Sequence, residues 1–144
     1  MSLLDSLDLI NINLYYKYIK VGKGKKLAIL DDKKAEEMLK DEEKAKGIEI
    51  LETQWSMLTW KEQNEVMNAS SRVTDPTTGE KQFDFLVYRD AIVKRCLRSW
   101  NLTMNEKPVP VSDEAIDKLP GPVVINIYQK FEQLVEFTEE ELGN

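Results

Sequence analysis

Hydrophobic and polar positions change period several times along the chain, and each change announces an element. From Leu9 to Leu30, Ile10, Ile12, Leu14, Tyr16 and Tyr18 alternate with Asn11, Asn13, Tyr15 and Lys17. That period of two marks a strand with one buried face. Gly22, Lys23 and Gly24 supply a turn and Leu27–Leu30 a return strand, so the segment is expected to be a β-hairpin. Asp31 to Lys46 is dense in charge, with only Ala35, Met38, Leu39 and Ala45 as an apolar line. Glu36 and Lys40, like Glu42 and Lys46, are spaced to pair across a helical turn. The segment reads as a solvated helix or linker ending at Gly47, or as one that orders on a partner.

Ile48 to Leu58 fits two periods. Ile48 and Ile50 alternate, yet Leu51, Trp55 and Leu58 share a helical face; a short strand over Ile48–Leu51 followed by a turn is expected. Thr59-Trp60-Lys61-Glu62 is a capping box that starts a helix running to about Ser70. Thr74-Asp75-Pro76-Thr77-Thr78-Gly79 forces a loop. From Phe83 to Trp100, apolar residues at Phe85, Tyr88, Ile92, Cys96 and Trp100 predict a core helix, with Lys94, Arg95 and Arg98 near its end where positive charge suits the dipole. Pro108 and Pro110 hold Lys107 to Val111 extended. Ser112 caps a short helix that Leu119-Pro120-Gly121-Pro122 ends. Val124, Ile127, Tyr128, Phe131, Leu134 and Val135 give the last helix its apolar face, and Thr138 to Glu141 cap a final turn or form an acidic tail. These elements predict an α+β fold: an N-terminal antiparallel hairpin or small sheet, then a mainly helical bundle of four or five helices. The expected organisation is residues 1–47 as hairpin plus charged segment and 48–144 as a mainly helical domain.

Composition narrows what such a fold does. The 144 residues, 42% hydrophobic and 32% charged, suit one globular domain. The opening MSLLDSLDLI carries acids and no basic stretch, so a secretory signal is not expected, and no apolar run reaches membrane-spanning length. Cys96 is the only cysteine and there is no histidine. The commonest general base and a zinc ligand set are therefore missing, and a single thiol suits a reducing cytoplasm. The net charge of −6 disfavours a phosphate backbone as partner, and from Ser112 onward eight acids face only Lys118 and Lys130. Neither an enzyme nor a cofactor is expected.

The side chains that attract attention have plain explanations beside them. Gly22 to Lys25 reads GKGK, without the spacing of a phosphate-binding loop. Asp31 and Asp32, Asp113 and Asp117, and Glu139 to Glu141 sit at helix starts or on the tail, where capping and solvation account for them. Cys96 falls mid-stripe on a core helix. Arg89, Lys94, Arg95 and Arg98 form a basic face or merely a helix end. Tryptophans anchor cores and interfaces alike. Trp100 is expected in the core; Trp55, Trp60, Glu139, Glu140 and Glu141 are the candidate partner contacts.

The order of these signals carries a resemblance. LTWKEQNEV, the DPTTGE loop, YRDAIVKRCLRSWNL, PVPVSDEAIDKLPGPVV and IYQKFEQLVEF together are similar to tail assembly chaperones of long-tailed bacteriophages. The likeness spans Trp55 to Leu142 and is most specific at Arg98-Ser99-Trp100-Asn101, Pro108 to Ser112, Ile116 and Leu119-Pro120. It implies a non-enzymatic protein of the infected cell's cytoplasm. Such a protein holds the tape-measure protein soluble, recruits tail-tube subunits and leaves before the tail is complete. From charge and hydropathy, neither nucleic acid nor a membrane is expected as a partner. A structural virion subunit, in the tail, neck or baseplate, is the alternative.

Overall fold

The computed structural model describes residues 9–136. Thr138 and the candidate contacts Glu139, Glu140 and Glu141 lie outside them. The hairpin forms as the alternation demands. Strand β1 (Ile10–Val21) buries Ile12 and Leu14 while Asn11 and Asn13 face out, and it pairs antiparallel with β2 (Gly24–Leu30). Gly22 takes φ 58° in the two-residue turn, a backbone region that glycine enters without a Cβ clash.

The charged segment becomes two short helices, α1 (Asp32–Leu39) and α2 (Glu42–Ala45), capped by the side chains of Asp31 and Asp41. Ala35 is the one residue of α1 that is buried. Lys46 pairs with Glu43 at 3.4 Å rather than with Glu42.

Strand β3 spans Glu49–Trp55, four residues past the expected end, because Leu51, Thr53 and Trp55 continue the alternation on the buried face. It pairs with β1 from Ile10↔Trp55 to Tyr16↔Glu49. The capping box forms as expected at the start of α3 (Trp60–Ala69): the Glu62 amide donates to Thr59 Oγ1 and the Thr59 amide to Glu62 Oε1. The Asp75–Gly79 loop closes a small hairpin, β4 (Ser71–Asp75) with β5 (Glu80–Phe83).

The largest correction concerns the long core helix. Helix α4 covers Phe85–Cys96, capped by Asp84 Oδ1 on two amides, and Leu97–Trp100 leaves it as strand β6. β6 pairs with β3 at Thr53↔Trp100 and Gln54↔Ser99. A small hairpin follows, β7 (Thr103–Met104) with β8 (Lys107–Pro108), then α5 (Asp113–Asp117) and α6 (Gly121–Val135).

The main sheet therefore has the order β2-β1-β3-β6. It draws two strands from the region expected to be mainly helical and two from the N-terminal hairpin. The α+β class stands, with six helices among the described residues. Helix α6 crosses the buried face of the sheet through Val123, Ile127, Tyr128 and Phe131. That face is turned slightly from the expected one: Val123 is buried more deeply than Val124, and Leu134 is exposed. Lys130 Nζ fixes the crossing by donating to the Asn13 carbonyl at 2.6 Å and pairing with Asp32 at 2.5 Å.

Candidate protein-binding groove

The stretch between β6 and α6 builds a largely apolar open concavity. Asn101 starts it by imitating a strand neighbour. Its Nδ2 donates to the Ile50 carbonyl (2.9 Å), its Oδ1 accepts from the Glu52 amide (3.0 Å), and its own amide donates to the Glu52 carbonyl (3.2 Å). The chain then turns through Asn105 (φ 52°) and Glu106 (φ 66°), both left-handed, as a tight two-residue hairpin loop requires. Asparagine tolerates that conformation; glutamate is strained in it. The return strand is held by the Val109 amide on the Leu102 carbonyl (2.9 Å) and by Trp100 Nε1, which donates to the Val109 carbonyl (2.6 Å). Ser112 Oγ accepts from the Ala115 amide and starts α5. Lys94 pairs with Asp90 (3.2 Å) on its own helix and with Asp117 (2.9 Å), tying α5 to α4.

The result is a groove of about 520 Å³ lined by Trp100, Leu102, Met104, Val109, Pro110 and Leu119. Glu114 and Lys118 also line it. Met104 stands 69% exposed. Burying such side chains against an apolar partner removes their surface from water, at roughly 25 cal/mol per Å².

The concavity on the outer face of the sheet is polar, lined by Asn11, Asn13, Glu52, Gln54 and Ser99 among others. On the outer face of the sheet, Gln54 Nε2 donates to Asn11 Oδ1 (3.2 Å) and Gln54 Oε1 accepts from Ser99 Oγ (2.9 Å). Those polar groups thus bond partly to one another. The Cys96 thiol is fully buried, and burial pushes its pKa up to about 12, so it stays protonated and unreactive. Burial also raises the Glu132 carboxyl, with the nearby Glu136 charge adding to the rise and a hydrogen bond from Tyr128 opposing it. The phenols of Tyr88 and Tyr128 are raised too, chiefly by burial, and remain protonated. Among the described residues no three acids or cysteines converge as a metal ligand set.

The sequence-based contacts fare unequally. Trp55 is 0% exposed, stacked on Phe131 with ring centroids 4.7 Å apart, its Nε1 donating to Thr53 Oγ1 at 2.7 Å. It is a core residue and offers no surface to a partner; the alternation of β3 turns it inward. Trp60, on the first turn of α3, is 80% exposed and lies apart from the groove. Trp100, expected in the core, is only partly buried and floors the groove. Met104, Val109 and Leu119 are not among the contacts expected from the sequence, although Val109 and Leu119 fall within the most specific parts of the resemblance. The available signal was the tryptophan followed by closely spaced prolines, which marks a rigid connection in an exposed apolar stretch.

No helix among the described residues is long and apolar enough to cross a membrane. No family model, curated protein or solved structure matches the chain.

Proposed function

We propose that the chain is a non-enzymatic tail assembly chaperone of a long-tailed bacteriophage. It acts in the host cytoplasm, holding the tape-measure protein soluble and gathering tail-tube subunits. One observation carries the reading: Trp100, Val109, Pro110, Ser112 and Leu119, all within the most specific parts of the resemblance, line the open apolar groove. A tape-measure protein is a long helical chain with apolar stripes that aggregate when bare. A groove with a fixed aromatic floor covers such a stripe, and an acidic surface keeps the complex soluble. The inert Cys96 thiol is compatible with work done by contact.

Co-expression with the long helical protein encoded beside this chain tests the proposal. Its soluble yield should rise and the two should co-purify, and Met104→Glu should remove both effects. Unchanged solubility with no complex would count against a chaperone. The alternative, a virion subunit, is favoured by one feature: β2 ends the sheet with an unpaired edge that a neighbouring strand could extend. Mass spectrometry of purified particles separates the two, since a subunit is retained and a chaperone is absent.

A further inference from the structure

The apolar groove continues past Trp100 onto the β1–β2 hairpin. Leu102 and Leu119 also line a second hollow of about 100 Å³, where Tyr18 and Leu27 join them. β1 pairs with β3 only as far as Tyr16; beyond it β1 pairs with β2 alone. Lys17 to Lys26 thus stand off the sheet as a two-stranded arm, an arrangement of marginal stability in water unless something packs on it. Tyr18 is 57% exposed and Val21 58% exposed.

One face of this arm has a simple order. Tyr16 lies opposite Ile29, Tyr18 opposite Leu27, and Lys20 opposite Lys25. Successive pairs on one face are about 7 Å apart. The apolar track therefore ends on two ammonium groups placed directly across from each other, a pairing that repels. Lys17 to Leu30 contains five lysines and no acid. Among the described residues, none of the five makes an ion pair. The part of the groove walled by α5, by contrast, is lined by one acid and one base, Glu114 and Lys118. The track thus has a basic end on the arm and a charge-balanced wall in its other part.

We infer that this track takes an amphipathic helix whose arm-facing end is acidic, with carboxylates seated between Lys20 and Lys25. The inference rests on the groove being a chaperone's contact surface and adds the chemistry of what is bound. A helix matches because its apolar stripe fills a groove continuously while its charges meet the ends. Nucleic acid matches less well: the floor is apolar, the lysines are confined to one end, and the chain carries a net charge of −6.

Two labelled helical peptides of about 20 residues test this, a length at which helices hold in water. Both carry a leucine stripe; one ends in glutamates and the other in lysines. Fluorescence anisotropy with the full chain should show the glutamate-ended peptide binding roughly tenfold tighter. The double variant Lys20→Glu/Lys25→Glu should reverse that preference. In roughly 1 M salt, where screening acts within about 3 Å, the preference should vanish. Both lysines are exposed, and an unchanged thermal melt shows that the variant folds. Equal binding of the two peptides, with Met104→Glu still weakening both, overturns the acidic-end inference and leaves the chaperone reading intact. Failure of the co-expression test despite a clear peptide preference does the reverse. Displacement of the peptide by a single-stranded oligonucleotide, or altered self-association of the lysine variant, also overturns it, since the occupant is then nucleic acid or a second copy.

Discussion

Two tryptophans sit on the same buried face of one sheet, yet they end in opposite surroundings. Trp55, near the end of β3, lies beneath α6, stacked on Phe131, with its N–H on Thr53 and the Thr53 hydroxyl in turn on the Ile12 carbonyl (2.6 Å). Trp100, on the neighbouring β6, has an equally well-placed N–H partner in the Val109 carbonyl, but its ring floors an open groove. Both indoles are polar-satisfied; the difference is what lies on top. Where a long helix crosses the sheet the region is core. Where only a two-residue-strand hairpin and a five-residue helix stand beside the sheet, the same residue type remains available to a partner.

The comparison breaks most visibly at its closed side. Trp55→Ala removes a fully buried ring and leaves a cavity under α6, and should cost about 3–5 kcal/mol in urea unfolding. A loss under about 1 kcal/mol would show that α6 collapses into the gap or that the site is less tightly packed. At the open side, Trp100→Phe keeps an aromatic ring but replaces the indole by a smaller phenyl and deletes the donor to Val109. It should cost about 1 kcal/mol, and peptide binding should weaken as the β8 wall loosens. Met104→Glu should change stability by no more than about 0.5 kcal/mol while binding is lost, because its side chain contacts solvent rather than core.

The smallest effect sharpens the closed side through pH. Burial holds the Glu132 carboxyl above its ordinary value, so the native state binds its proton more tightly than the unfolded chain does. The stability this contributes is present at acid pH and declines as pH rises through the raised folded pKa. Glu132→Gln should abolish that decline and leave the variant slightly more stable than the parent at neutral pH. Thermal melts across the carboxylate range test it; an unchanged slope with pH would show that the carboxyl is solvated.

Much of the local order was legible. The alternation in β1, the Gly22 turn, the Thr59–Glu62 box and the Ser112 cap each depend on residues within a few positions of one another. The Phe83–Trp100 segment was misjudged at its end for a physical reason. Leu97 and Trp100, three positions apart, continue a helical stripe, and both turn inward in β6 only because a bulge opposite Gln54 and Trp55 shifts the register. Backbone pairing with Thr53, Gln54 and Trp55 settles the choice, and those residues are more than forty positions away. The groove was hidden for the same reason. Trp100 was legible as apolar and the prolines as rigid, but nothing local says which tryptophan a distant helix will cover.

Taken alone, the amino-acid order determined where the chain turns, where helices start and which face of each strand avoids water, since these follow from steric preference and short-range hydrogen bonding. The tertiary structure alone decided which apolar residues are covered. Covering is a matter of what else occupies the space, and α6 reaches Trp55 but stops short of closing over Trp100.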